Sequence, residues 1–324
     1  MHPRFSKLLS SAITFSAPEQ YLANLSIISS CSREVNQEQT NSAFSYKWNR
    51  YAQSNEKEKL YQFQREWYLR LYGFNDEKAL ADYLQGCRIV LDAGCGLGYK
   101  SAWFARLAPE TLIIGMDFSE SVLQAANIYA DIENLYFIQG DIGATGFSDC
   151  SIDFASCDQV IMHTEDPEAT FAELVRITKG TGEVACYFYA RKALPRELLD
   201  DYFRSHCTNL SKEELWSMSE QLTELGRRLS NLNTSIDVPA IPALGIKGGT
   251  MDIQRFIYWN FLKCFWNSDL GGETSIITNF DWYSPSNARR FTLTEVKALA
   301  PKNCMTEVFF HAEDACFSGR WAKT

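Results

Sequence analysis

Apolar and polar positions follow two alternating rhythms between Gly86 and Tyr189. Short apolar runs at Arg88–Asp92, Thr111–Asp117, Leu135–Gln139, Ile152–Cys157 and Glu183–Tyr189 predict buried strands. Between them apolar residues return every three or four positions, which predicts helices from Tyr99 to Leu107, from a Ser119 cap to Ala130, and from Pro167 to Thr178. Pro109 closes the first of these, and Gly180 with Gly182 ends the last. Strand and helix in strict alternation imply a parallel sheet with helices on both faces.

The flanks follow other patterns. Residues 1–42 are weakly patterned and rich in Ser, Asn and Gln, and read as a partly ordered N-terminal arm. In Ala43–Tyr51 the aromatics Phe44, Tyr46 and Trp48 alternate, as in an extended segment with one packed face or a lid over a ligand. Leu60, Phe63, Trp67 and Leu71 form a helical stripe, and a short helix from Glu77 to Leu84 completes residues 43–85. The alternation stops after Tyr189, the end of a core at 86–190. Ser211 and Glu214 form a capping box ahead of the stripe Leu215, Met218, Leu222, Leu225 and Leu229. Pro239, Pro242, Gly245, Gly248 and Gly249 mark a loop, and Met251–Trp266 is apolar nearly all round. Residues 191–280 therefore read as a helical cap inserted over the sheet. In 281–324, Asp281–Pro285 reads as a turn. A second capping box, Thr292 with Glu295, starts a helix, and Met305–His311 and Cys316–Trp321 predict a closing hairpin. The expected fold is α/β: a doubly wound seven-stranded sheet, mostly parallel, with a terminal antiparallel hairpin strand and a helical cap insertion.

Composition narrows the partners. With 324 residues the chain has room for a large core, and its net charge of −9 and pI near 5.1 argue against a nucleic-acid partner. Ten cysteines include no C-x-x-C pair, so no metal site is expected, and reduced thiols in a cytoplasmic protein are. No apolar run is long enough to span a membrane, and the first twenty residues lack the apolar core of a signal peptide. Oligomeric state is not encoded in any readable way.

The chemistry centres on VLDAGCGLG, Val90–Gly98, a strand that ends in an acid and a glycine turn. A dinucleotide fingerprint, G-x-G-x-x-G, would need glycine where Tyr99 stands. A phosphate loop ends in Gly-Lys-Ser/Thr; here Lys100-Ser101 follows Tyr99, and the first glycine is misplaced. The turn fits a bulkier, less charged ligand, such as an amino-acid tail on a nucleoside.

VLDAGCGLG resembles the first motif of the class I (Rossmann-like) S-adenosylmethionine-dependent methyltransferases. Ile113–Ala126, Phe137–Ile142 and Ile152–Val184 resemble the stretches that follow it, and AFSYKWNRY with DWYSP resembles a small-molecule branch of that family. The resemblance implies S-adenosyl-L-methionine as cofactor, with Asp92, Gly94, Cys95, Gly96 and Gly98 around its methionine tail. Asp117, followed by Phe118, would accept from the ribose hydroxyls. Asp141 would meet the adenine amine, with Ile142 against the ring, and Asp158 or Gln159 would lie near the tail or the reacting methyl. His163 is the candidate general base, or else a packed loop residue; the related branch often has two histidines here, and Met162 takes the first place. Tyr46, Trp48, Trp259, Trp266, Trp282 and Tyr283 are candidate substrate contacts, or else core aromatics. The expected activity is methyl transfer to a small-molecule acceptor, oxygen favoured over nitrogen or carbon. An arsenite methyltransferase using Cys95, Cys157 and Cys207 and a non-catalytic cofactor-binding scaffold are the alternatives.

Overall fold

The computed structural model describes residues 3–13, 20–22, 25–27 and 35–323. They fall into two compact units: Met1–Glu34, Phe63–Ala190 and Arg289–Thr324 in the first, Val35–Gln62 and Arg191–Ala288 in the second.

The first unit is built on one sheet. Its strands are β1 (Gln20–Leu22), β2 (Leu25–Ile27), β3 (Ile89–Ala93), β4 (Leu112–Asp117), β5 (Leu135–Gln139), β6 (Ile152–Cys157) and β7 (Thr178–Tyr189). Two short strands, β8 (Ser235–Val238) and β9 (Gly249–Asp252), pair with each other in the second unit. The chain then returns to the sheet as β10 (Met305–Ala312) and β11 (Cys316–Lys323). The order is β1-β2-β5-β4-β3-β6-β7-β11-β10. From β5 to β10 this is the expected seven-stranded sheet, parallel as far as β7 and closed by the antiparallel β11 and β10. β3 lies at the reversal of strand order, with Asp92 opposite Gly115 of β4 and Ser156 of β6. A crevice at the carboxyl ends of the strands forms at such a point.

All five residues of β3 are buried, as a strand covered on both faces requires. Packing behind the glycine turn is tight. A Cβ on Gly98 would lie 2.8 Å from Phe137 of β5, and one on Gly115 would lie 2.8 Å from the same ring and 2.9 Å from Ser101 Oγ. The helix Pro167–Ile177 starts as expected, with Asp166 as its cap, and Thr292 and Glu295 form both halves of their capping box.

Several elements differ from the sequence pattern. The arm at 1–42 contains a helix, Pro3–Ala12, whose Phe5, Leu9 and Ala12 join the core, and β1 and β2 extend the sheet. Residues 1–2, 14–19, 23–24 and 28–34, including Cys31, lie outside the described residues. The segment holding Phe44, Tyr46 and Trp48 is helical, within Val35–Tyr51. Its buried stripe is Thr40, Ala43, Lys47 and Tyr51, a helical period hidden from a hydrophobicity count by a threonine and a lysine. In the helix Lys57–Tyr72 the buried positions are Tyr68, Leu71 and Tyr72, while Phe63 is 40% exposed. Tyr68 and Tyr72 face inward because their hydroxyls reach polar partners, Ser156 and Asp158.

The second unit contains, besides Val35–Tyr51, the helices Leu194–Cys207, Lys212–Asn231, Ile253–Asn260 and Gly272–Tyr283. Ser211 and Glu214 cap the second of these as expected. Its buried face is Leu215, Ser219, Thr223 and Gly226, so of the predicted apolar stripe only Leu215 lies on it, and Thr223 Oγ1 accepts from Asn279 Nδ2 at 2.9 Å. The Pro/Gly segment joins β8 to β9 as a ribbon, and the helical part of Met251–Trp266 is limited to Ile253–Asn260. Asp281, Trp282 and Tyr283 are not a turn but the last turn of Gly272–Tyr283. Among the described residues, all nine cysteines are free and no helix is long and apolar enough to cross a membrane.

Candidate functional site

The sequence-predicted residues of the first unit come together at the carboxyl ends of β3, β4, β5 and β6. The turn after β3 is held by left-handed glycines, with φ of +83° at Gly94, +54° at Gly96 and +74° at Gly98. A Cβ on Gly94 would overlap Val160. The amides of Gly94 and Cys95 donate to Met116 O at 2.7 and 2.9 Å, Gly96 N donates to Asp117 Oδ2 at 2.7 Å, and Gly98 N donates to Cys95 O at 2.9 Å. These amides are already engaged, so they do not form the open cradle of N–H groups that a phosphate needs.

Asp117 ends β4 and is partly exposed. Besides Gly96 N, it accepts from Ser119 N at 2.8 Å and Ser119 Oγ at 2.6 Å, and Ser119 Oγ also lies 2.6 Å from Ser121 Oγ. Burial raises the Asp117 carboxyl above its ordinary range, against these hydrogen bonds. Phe118, next in the chain, is half-buried. Past β5, Asp141 is half-buried and accepts from Gly143 N at 2.7 Å through Oδ1, and Ile142 is buried beside it. Cys95 is buried, and burial, reinforced by Asp117 and Asp92, pushes its thiol well above the usual range. It is therefore a neutral thiol rather than a reactive thiolate.

The structure adds a residue at the centre. Lys100, in the first turn of Tyr99–Leu107, is only 6% exposed. Its Nζ lies 3.2 Å from Asp92 Oδ1 and 3.3 Å from Asp158 Oδ2. Asp92 Oδ2 accepts from Ser101 Oγ at 2.6 Å, and Asp158 Oδ1 accepts from Tyr72 OH at 2.8 Å. Burial pushes the lysine down, but the two carboxylates outweigh it and raise Lys100 well above its ordinary range. Asp92 moves up on burial, while Lys100 and Ser101 hold it back. Two carboxylates around one ammonium leave a charge of −1, complementary to one further cation. Gln159 follows with φ +63°, a left-handed conformation uncommon for a side-chain-bearing residue, and its Nε2 reaches Asp158 Oδ2 at 3.4 Å. His163 ends a short 3₁₀ turn, Ile161–His163, buried with its ring edge-on to Tyr189 at 5.5 Å.

The other candidates lie in the second unit. Tyr46 packs against Trp216 and Phe280, and Trp48 packs edge-on to Tyr51 with Lys47 Nζ 3.8 Å from its centroid. Trp259 stacks edge-on to Tyr258 at 4.8 Å, and Trp266 is partly buried. Trp282 and Tyr283 are both buried; Tyr283 OH donates to Asp200 Oδ1 at 3.1 Å and accepts from Lys263 N at 3.3 Å. Sequence reasoning weighed Lys100 only as the lysine of a phosphate loop and passed over Tyr72 and Lys263. The two lysines had a signal, since each is a charged residue inside a segment that is otherwise buried or apolar.

A sheet of order β5-β4-β3-β6-β7-β11-β10, with a glycine turn after β3 and acids closing β4 and following β5, defines the class I methyltransferase fold. Residues 86–233 match the family model described as "Methyltransferase domain". An uncharacterized methyltransferase of Schizosaccharomyces pombe is 33% identical over 113 residues, 32% of this chain and 41% of that protein. A demethylmenaquinone methyltransferase of Lactococcus lactis is 28% identical over 137 residues, 40% of this chain and 54% of that protein. The chain thus spans about half the length of these curated relatives. Among solved structures, magnesium protoporphyrin IX methyltransferase from Synechocystis with bound SAH aligns over 89% of this chain and 98% of its own, at 13% identity and a TM-score of 0.47. Residues 86–233 belong to the class I S-adenosylmethionine-dependent methyltransferases.

Proposed function

We propose that this protein transfers a methyl group from S-adenosyl-L-methionine to a small organic acceptor, with oxygen as the favoured accepting atom. The observation that carries the reading is Asp117, a partly exposed residue at the end of β4 whose carboxylate accepts from the amide of Gly96 in the glycine turn. When bound, the cofactor supplies a sulfonium methyl already activated for in-line displacement.

The protein's own residues then bind, orient and exclude water. Asp117 accepts from the ribose hydroxyls. A carboxylate offers about four lone-pair sites, and Gly96 N, Ser119 N and Ser119 Oγ occupy three of those on Asp117. Ser119 Oγ yields its place by turning to Ser121 Oγ. Asp141 accepts from the adenine amine through Oδ2, which takes no hydrogen bond among the described residues, while Ile142 covers the ring. Asp92 and Asp158, with one Lys100 between them, hold the methionine ammonium as the missing second cation. Gly94, Cys95, Gly96 and Gly98 keep the turn small along the tail, and Gln159 presents its backbone there from a left-handed conformation. His163 takes the acceptor's proton.

Isothermal titration with S-adenosylmethionine and its demethylated product tests the assignment. Wild-type protein should bind both, and Asp117→Ala should weaken binding at least about tenfold, the loss of a charge-assisted hydrogen bond. Equal affinity in the variant removes Asp117 from the ribose role.

A further inference from the structure

The second unit buries more positive than negative charge. Lys47, Arg196, Arg204 and Lys263 are each less than one-tenth exposed, in a chain whose net charge is −9. Lys47 pairs with Asp281 at 2.8 Å, and Arg196 pairs with Asp200 at 2.7 Å and donates to Tyr258 O. Arg204 donates to the carbonyls of Trp282 and Pro285. Lys263 differs: among the described residues its Nζ makes no ion pair or hydrogen bond. It sits 4.2 Å from the centroid of Trp282, with Arg196 5.2 Å from the same ring. An ammonium on a side chain this buried costs several kcal/mol unless an anion meets it, and each carboxylate that acts on it already holds another cation: Asp281 through Oδ2 pairs with Lys47, and Asp200 pairs with Arg196.

We infer that Lys263 is the anion-holding residue of a ligand site in the second unit, and that its ligand is a monocarboxylate with an aromatic or otherwise apolar body. One ammonium calls for one negative charge. The ring of Trp282 and that of Tyr258, 5.4 Å from Arg196, supply an apolar, polarisable surface for the rest of the ligand. Asp200 neutralises Arg196 and accepts from Tyr283 OH, so that arginine is held in place and does not compete for the anion. Burial drives Lys263 down to about 7, the direction expected of a lysine lacking its counter-ion. The site stands on the second unit alone; its extension, that the methyl acceptor is itself such an acid, rests on the methyltransferase reading.

The test titrates the full-length protein with benzoate, its uncharged isostere benzamide, and inorganic phosphate, following heat of binding and thermal shift. Benzoate should bind and benzamide should bind at least about tenfold more weakly, as a charge-assisted contact requires. Lys263→Met should lose the preference, and Lys263→Arg should keep it. Benzamide binding as well as benzoate, a preference for phosphate over benzoate, or a preference unchanged in Lys263→Met overturns the assignment. The benzoate/benzamide contrast on wild-type protein stands even where Lys263→Met fails to fold. Asp117→Ala should bind benzoate as wild type does, so failure of cofactor binding and failure of this site read out separately.

Discussion

Asp92 and Lys100 form an ion pair at 3.2 Å, with the aspartate fully buried and the lysine nearly so. A pair in this setting contributes little net stability when whole, yet removing one partner leaves an uncompensated charge. Lys100→Met should cost about 3–5 kcal/mol, read as a lower urea midpoint at unchanged slope. Lys100→Met combined with Asp92→Asn should recover part of the loss, because a neutral amide needs no counter-ion. A double variant as unstable as the single one would show that the lysine acts through packing alone.

The glycine turn allows an internal contrast. Gly94→Ala meets both a left-handed backbone, φ +83°, and Val160. Strain of about 1–2 kcal/mol and overpacking of about 1–3 kcal/mol should add. Gly180→Ala has open space within 4 Å and should stay within about 0.5 kcal/mol of wild type. Thermal melts of the two side by side decide it; equal shifts would mean that the turn relaxes freely.

If His163 accepts the acceptor's proton, His163→Gln should lower the turnover rate roughly 10²–10⁴-fold while leaving S-adenosylmethionine affinity within about twofold. A parallel loss of cofactor affinity would instead mark a packing role, consistent with the edge-on contact to Tyr189.

Lys263 carries a pH signature in stability. It is faced by Arg196 and Lys192, which lower it, and by Asp281 and Asp200, which raise it, with burial the largest cause and a result of about 7 instead of 10.5. Below about pH 7 both folded and unfolded lysine are protonated, and the cost of burial is felt in full. Between about 7 and 10.5 the unfolded chain holds more protons, so stability rises with pH. Lys263→Met should therefore exceed wild type in stability most below pH 7, by at most roughly 5 kcal/mol, and the gap should close as pH approaches 10.5. A gap that is constant in pH would show that the lysine is not titrating within the fold.

Most strands and helices of the core were legible because the buried strands are largely apolar runs bounded by glycine, proline or an acid. Two boundaries were not, since the helix after β4 starts at Ser121 with Glu120 rather than Ser119 as its cap, and β7 starts at Thr178 with Gly180 and Gly182 inside it. The terminal hairpin and both capping boxes were legible for the same local reasons. Burial of polar groups was not. Lys47 and Thr40 on the inner face of Val35–Tyr51 disguised a helix as an extended segment, and Tyr68 and Tyr72 displaced Phe63 from the buried stripe because their hydroxyls have partners across the fold. The glycine turn and the acids at Asp117 and Asp141 can be located by spacing along the chain. Lys100 matters only because β3 and β6 place Asp92 and Asp158 on either side of it, and Asp158 stands fifty-eight residues from Lys100 in the chain.

Phe137 imposes a different kind of constraint, one on the routes open to substitution. Its ring limits the side chain at both Gly98 and Gly115, but the two glycines are not equivalent. Gly98, at φ +74°, is fixed by its backbone whatever the ring does. Gly115 has an ordinary strand conformation, so space alone keeps it small. Volume can thus be traded between positions 115 and 137, a Leu at 137 together with a small shift of Ser101 Oγ making room for an Ala at 115, while position 98 stays fixed. Lineages of this fold can drift along the 115–137 pair without disturbing the turn, and the two sites should reveal their coupling as a strongly non-additive double-mutant cycle.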